Sequence, residues 1–171
     1  MRPKGKLLAL FAIFVAIGVV TASGAFTSTS VDRTMTISVD ADSSALLGLA
    51  PNGSSVNGGY ATTSSGRIQV ALGTNGANLD ADTHVDHVIN LTNNGNADIT
   101  VWATMAGTNT SAVTLYNGTV TGGSAIASSN PGETVTVGQT ISVSIQIDTR
   151  GTADAAGTTL VDTVTFHAEA L

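Results

Sequence analysis

Residues 141–147 read Ile-Ser-Val-Ser-Ile-Gln-Ile, and every second side chain in this stretch is a branched apolar one. Alternation with a period of two is typical of a β-strand with one face in a core and the other in water. The pattern recurs at 35–39, 68–72, 85–91, 99–105, 113–115, 135–137 and 164–168, with clusters of Gly, Ser, Asn and Thr between the runs. About eight short strands predict an all-β fold, an antiparallel β-sandwich of jelly-roll-like or immunoglobulin-like type, after an N-terminal signal helix.

Two local motifs give finer predictions. Asn117-Gly118 follows the strand at 113–115 and predicts a two-residue hairpin turn. The brief apolar stretch at 43–49, which Pro51 ends, is the place where a helical turn is expected.

The N-terminal residues have the pattern of a secretory signal. Three basic residues among the first six precede an uncharged apolar run at 7–20, and small residues follow. A basic start, an apolar centre and a small-residue exit predict export, with cleavage after Gly24 or Ala25. Extended to Ala25, the apolar run approaches the ~20 residues that span a bilayer, so an uncleaved anchor is the alternative.

Removal of the signal leaves a strongly acidic chain. Arg33, Arg67 and Arg150 are then the only bases against all 12 acidic residues, a net charge of −9. This charge argues against nucleic acid as a partner. At molar salt the screening length falls to about 3 Å, so such a surface no longer repels itself. The composition indicates a hypersaline exterior, the alternative being an ordinary acidic secreted protein.

No constellation of residues points to catalysis. The chain has three histidines and no cysteine. It contains neither a His-Glu-x-x-His motif nor a Gly-x-Ser-x-Gly elbow. We therefore expect no catalytic residue, no cofactor and no enzymatic activity.

A weak candidate for a cation site lies on one predicted strand face. Asp80, Asp82, His84 and Asp86 alternate along the chain and would share that face, whereas His87 is expected to point the other way, near the core. The spacing lacks the glycine and the glutamate of an EF-hand loop. We favour a solvated acidic strand face over a metal site.

Four acceptor sequons for N-glycosylation begin at Asn52, Asn90, Asn109 and Asn117. Three of them lie in predicted loops or turns, and Asn90 lies on an outward strand position. Because export makes modification possible, we expect at least one of the four to carry a glycan.

Three short stretches resemble a known family. Residues 24–28 (Gly-Ala-Phe-Thr-Ser), 31–34 (Val-Asp-Arg-Thr) and 44–49 (Ser-Ala-Leu-Leu-Gly-Leu) resemble haloarchaeal secreted proteins of unknown function. More distantly, the layout is similar to the TasA/camelysin group of biofilm-matrix fibre proteins and to archaeal bundling pilins. The resemblance implies a jelly-roll fold. The protease activity described for camelysins is not carried over, because no zinc-ligand motif is present.

The resemblance also implies how subunits would associate. In that group an N-terminal strand of one subunit fills a gap in the sheet of the next, which is strand addition. The candidate donor here is 26–33, freed by signal cleavage, with Phe26 and Val31 as apolar anchors on opposite faces. The alternative is a mature N-terminus that is disordered or clipped.

These arguments divide the chain into a signal peptide at 1–25, a donor-strand candidate at 26–33 and a β-sandwich domain at 34–171. They predict a secreted, extracellular or cell-surface structural subunit of a filament or biofilm-matrix fibre. The expected partner is the chain itself, with other cell-envelope proteins as further candidates, and membrane contact is expected only through an uncleaved signal. The alternative function is a secreted monomeric β-sandwich that binds a cation, a glycan or an envelope protein.

Overall fold

The computed structural model describes residues 3–22, 41–72, 76–152 and 156–171. The chain divides into two compact units, 1–37 and 38–171. In the first unit, helix α1 spans Pro3–Ala22, a segment rich in the strong helix formers Leu and Ala. No helix in the described part of the chain is both long and apolar enough to cross a membrane.

The second unit is built from strands that pair antiparallel throughout the described residues. The ten strands are β1 Leu47–Pro51, β2 Ala61–Ser64, β3 Arg67–Val70, β4 Asp82–Asn93, β5 Ile99–Ala106, β6 Val113–Asn117, β7 Ser124–Ala125, β8 Glu133–Val135, β9 Thr140–Asp148 and β10 Thr163–Ala170. Short 3₁₀ turns occupy Val56–Tyr60 and Thr110–Ala112. The predicted all-β class is confirmed.

Two sheets form the body of the fold, and a small ribbon accompanies them. The larger sheet has the order β1-β4-β9-β6-β7 and the smaller one the order β10-β5-β8, and among the described strands β2 pairs only with β3. Strand β9, which carries the alternating stretch at 141–147, is the central strand of the larger sheet. Its four isoleucine and valine side chains are all buried, as the alternation predicts.

The core lies between the two sheets and draws on both. Leu91 and Val143 of the larger sheet and Val101 and Val135 of the smaller one are completely buried in one apolar cluster. Full burial of one such side chain stabilises the fold by about 1.5–3 kcal/mol. An antiparallel sandwich is therefore the observed architecture.

Strand β4 contains a bulge that reverses one prediction. Its register with β9 shifts in the interval 85–89, where His87 adopts a φ of 57°. The His87 backbone N–H donates to Ser144 Oγ over 2.8 Å, and its Nδ1 lies 3.0 Å from Ser142 Oγ on the outer face. Val88 takes the inward position and is completely buried. The prediction that His87 points toward the core face is wrong, because the positive φ of His87 within the bulge turns its side chain outward, and the alternation resumes unchanged at Ile89.

The predicted two-residue turn after β6 is also wrong. Gly118 has the positive φ of a turn glycine, but β6 and β7 pair at Asn117↔Ser124, which leaves residues 118–123 in the loop. Val120 in this loop is buried, and its N–H donates to Asp86 Oδ1 over 2.8 Å. The loop is longer because it folds down onto the bulged part of β4.

The predicted helical turn at 43–49 is displaced. A single turn forms earlier, where the amides of Ser44 and Ala45 both donate to the carbonyl of Ala41. From Leu47 onward the chain is extended, since pairing with β4 satisfies its backbone groups. The predicted strand at 35–39, the donor candidate at 26–33 and its boundary with the sandwich domain lie outside the described residues.

Candidate functional site

Strand β10 forms a long edge of the smaller sheet. It pairs with β5 in an unbroken register from Thr163↔Ala106 to Ala170↔Ile99. Among the described strands, β5 is the one neighbour of β10. Within residues 3–22, 41–72, 76–152 and 156–171, no strand pairs with the opposite edge of β10 along its eight residues.

The alternation of hydrogen-bonded pairs between β10 and β5 shows which backbone groups of β10 point away from β5. The Leu171 N–H donates to the Asp98 carbonyl over 2.9 Å, which marks 171 and 98 as a hydrogen-bonded pair. Because such pairs alternate along an antiparallel ladder, the odd-numbered residues 163–169 bond to β5. The even-numbered residues Val164, Phe166, Ala168 and Ala170 direct their N–H and C=O groups away from the sheet.

The side chains of these same four residues lie on the core face of the sheet. Their cross-strand partners on β5 include the buried Val101 and Ala103. On β10, however, the positions 164, 168 and 170 are exposed and Phe166 is half-buried. We call this surface, formed by Val164, Phe166, Ala168 and Ala170, the β10 shelf. It combines apolar side chains with unpaired backbone groups.

The other sheet edges are short or covered. The Leu49 N–H of β1 donates outward to the Asp42 carbonyl over 2.7 Å, and the strand ends at Pro51, which has no N–H. Strand β7 has two residues and β8 has three. Proteins commonly blunt edge strands in these ways, with short strands, proline, lysine or bulges. Strand β10 has none of these devices.

The outer face of β10 is polar and engaged with β5. His167 stacks on Trp102, with ring centroids 5.2 Å apart and planes 7° from parallel. The His167 Nε2 lies 2.9 Å from Thr104 Oγ1, and Glu169 Oε2 accepts a hydrogen bond from the Asn130 amide over 2.5 Å. These contacts hold β10 in place from one side and leave its free edge and its shelf open.

The structure brings two residues of the cation-site candidate, Asp82 and His84, into contact, and it gives Asp80 and Asp86 other partners. Asp82 lies 3.1 Å from His84 Nε2 and 3.2 Å from Arg150 Nη2. Asp80 accepts from the backbone of residue 151, whereas Asp86 is engaged by the loop at 118–123. Within the described residues, no three His, Asp or Glu side chains form a group that could hold a metal ion.

An ion-pair cluster of Arg150 with Asp148 and Asp82 lies at the C-terminal end of β9. Arg150 donates from Nη2 to Asp148 Oδ2 over 2.7 Å and from Nε to Asp148 Oδ1 over 2.8 Å. These side-chain hydrogen bonds, with a further one from the Arg150 backbone, lower the pKa of Asp148 to about 2. The same pairing raises the pKa of Arg150. Both groups are solvated, so the cluster is a surface feature of the fold.

The four sequon asparagines differ in accessibility. Asn52 is buried, and its amide donates to Ser142 Oγ over 3.2 Å. Asn90, Asn109 and Asn117 are half-buried, and the Asn117 amide donates to Glu133 Oε1 over 2.9 Å. Access for a glycan transfer in the folded state is therefore smallest at Asn52.

Sequence reasoning found the strand at 164–168 but not its role as an edge. A strand that reads Val-Thr-Phe-His-Ala has the same alternation whether it has one neighbour or two. The candidate polymer contacts Phe26 and Val31 lie outside the described residues. No protein family model matches the chain, and no curated protein matches it either.

Proposed function

We propose that this chain is a non-enzymatic structural subunit of an extracellular filament or biofilm-matrix fibre. It is exported on the segment 1–25 and assembles when the mature N-terminus, 26–33, of one subunit adds as a strand to the sandwich of the next. The observation that supports the proposal is the eight-residue edge of β10, which no other described strand pairs, in a sandwich whose other described edges are short or covered.

Strand addition suits this edge on physical grounds. Four residues of β10 offer an N–H and a C=O each, and an added strand replaces their water contacts with backbone hydrogen bonds. Each such bond contributes about 0.5–1.5 kcal/mol net. The apolar shelf beside them adds burial, so backbone pairing supplies affinity and the side chains supply register.

The charge of the chain supports a salty exterior as the place of assembly. Each subunit without residues 1–25 carries a net charge of −9, and joined subunits repel one another in dilute buffer. At molar salt the screening length is about 3 Å, shorter than the spacing of most surface charges. We therefore expect fibres to form in brine and to come apart on dilution.

The test compares the full-length chain, exported and processed, with a variant that lacks residues 26–30. Electron microscopy in molar salt is expected to show fibres for the complete chain and dispersed particles for the deletion variant. Circular dichroism checks that both retain the same strand content. Fibres of equal abundance from the deletion variant would overturn strand addition by the N-terminus. A monomer at every salt concentration for both proteins would favour the monomeric binding module instead.

A further inference from the structure

We infer that Asn94 is the preferred site of spontaneous deamidation among the described Asn-Gly pairs, and that its loss of ammonia loosens the turn that covers β1. The reaction takes place within one subunit and does not depend on assembly.

Five asparagines of the chain are followed by glycine, at 52, 57, 75, 94 and 117, and residue 75 lies outside the described residues. In such a pair the glycine nitrogen can attack the asparagine Cγ, because glycine has no Cβ to obstruct the approach. A C–N bond forms, the side-chain amide leaves as ammonia, and the product is a cyclic succinimide. Water then opens this ring at either carbonyl and leaves aspartate or isoaspartate.

The first two pairs are held in buried or partly buried surroundings. Asn52 is 8% exposed, and its amide donates to Ser142 Oγ over 3.2 Å. The amide of Asn57 donates to the Asp86 carbonyl over 2.8 Å, and Gly58, whose nitrogen would attack, is buried. Ring closure at either pair requires these contacts to break and the segment to move out of its packed position.

The pair at 117–118 is held at both reacting groups. The Asn117 amide donates to Glu133 Oε1 over 2.9 Å, and the Gly118 N–H donates to the Ser142 carbonyl over 2.8 Å. An N–H that is bound to a carbonyl loses its proton less easily, and the attacking species is the deprotonated nitrogen. Because the two bonds reach β8 and β9, opening of this pair also disturbs its contacts with two other strands.

Asn94 differs from these three because it is exposed. Its amide donates to the Ala45 carbonyl over 2.9 Å at the surface, and the N–H of Gly95 donates to Asn93 Oδ1 over 3.0 Å. Water can replace a hydrogen bond at the surface, and local opening costs least free energy in turns and loops. Asn94 therefore reaches the geometry for ring closure more often than the other three.

Deamidation of Asn94 also changes the cover of β1. Its side-chain amide binds Ala45 and its backbone N–H donates to the Leu46 carbonyl over 2.9 Å, so it ties the turn before β1 to the end of β4. The same turn accepts the Leu49 amide at the carbonyl of Asp42. A carboxylate cannot donate to the Ala45 carbonyl and repels it, and isoaspartate also lengthens the backbone by one carbon. The turn should then detach more readily from β1.

The first experiment maps deamidation in the full-length, processed chain. Folded protein and protein unfolded in guanidinium chloride are held at the same mildly alkaline pH, and their peptides are analysed by mass spectrometry. We expect the ratio of the folded to the unfolded rate to be about tenfold higher at Asn94 than at Asn52, Asn57 or Asn117. Isoaspartate among the products marks the succinimide route. Equal ratios at all four pairs, or a higher ratio at any of the other three, would overturn Asn94 as the preferred site.

The second experiment tests the effect on β1 with two variants. Asn94→Asp reproduces one of the two products, and Asn96→Asp is the matched control, because it adds the same charge at an exposed position of the same turn. By NMR, hydrogen exchange of the Leu49 amide is expected to be about tenfold faster in Asn94→Asp and unchanged in the control. Exchange as slow as in the wild type, or equal acceleration in both variants, would show that the bond to Ala45 does not hold the turn.

Discussion

The free edges of β1 and β10 bound the two sheets of the same sandwich, yet their surroundings are opposite. At β1, the turn at 41–45 folds back so that the Asp42 carbonyl accepts the Leu49 amide, and Pro51 ends the strand. At β10, eight residues continue without a bulge, a proline or a covering segment among the described residues. One edge is covered within the subunit, whereas the other has no strand beside it in the part of the chain that the structure describes.

The two edges also differ in how far the side chains beside them are buried. Next to β1, strand β4 contributes Leu91, which is completely buried. Next to β10, strand β5 is buried at Val101 and Ala103, whereas on β10 itself Val164 is 37% exposed and Phe166 is half-buried against the core cluster. The completely buried part of the core therefore reaches β5 but not β10. An edge strand whose core face is exposed lacks side chains packed against that face. A segment added at the edge would supply such side chains.

The largest expected contrast is in amide hydrogen exchange. The outward amides of the even-numbered β10 residues have no partner among the described residues and should exchange fast, whereas the amides at 165, 167 and 169 should be protected. Amides of β9, which has a neighbour on each side, should exchange more slowly than the outward ones by about 10³-fold or more. Measurement by NMR on unassembled protein tests this, and uniform protection along β10 would mean that its edge is covered.

A second contrast concerns the stability lost by truncating apolar side chains in the two regions. Leu91→Ala removes a completely buried side chain of β4 and is expected to lower the free energy of unfolding by about 2–5 kcal/mol. Phe166→Ala removes a half-buried one from the shelf, and the loss should be less than half as large. Urea unfolding in molar salt compares the two variants. Equal losses would show that β10 belongs to the core and not to an open edge.

The smallest expected effect is a change in the pKa of Asp148, the last residue of β9 in the larger sheet. Arg150→Gln removes the donor that lowers the pKa of Asp148, so this pKa should rise from about 2 toward its ordinary value of 3.8. Because the folded-state pKa is the lower one, the stabilisation is complete above about pH 4 and is lost as the pH falls through 2. NMR titration of the Asp148 carboxyl tests the shift, with Arg67→Gln as the control that should leave it unchanged. An unaltered Asp148 pKa in the Arg150 variant would contradict the assignment.

The strands were predictable where burial alternates strictly, and the bulge was not. Ile141, Val143, Ile145 and Ile147 lie in the core because every second residue is apolar. At His87 the same rule fails, since the extra residues are held by Ser144, which is 57 positions away in sequence. Local periodicity does not show a hydrogen bond between distant strands.

The candidate interface at β10 was likewise predictable from the sequence only in part. The sequence indicates a final strand with Val164, Phe166 and Ala168 on one face. The donor role of Phe26 and Val31 is an expectation from the family resemblance, and both residues lie outside the described part of the chain. The sequence does not indicate that β10 has a single neighbour. The acidic residues 80, 82 and 86 illustrate the same limit, because the bulge and the loop at 118–123 give Asp86 a partner that alternation alone does not predict.

The order of amino acids by itself determined that this chain folds into antiparallel strands, because period-two alternation allows only one face of each strand to be buried. Only the tertiary structure decided which strand lies at an edge, since neighbours in a sheet are set by the packing of segments far apart in the chain. Whether the backbone groups of β10 are paired or free is a property of that arrangement, and no local pattern of side chains encodes it.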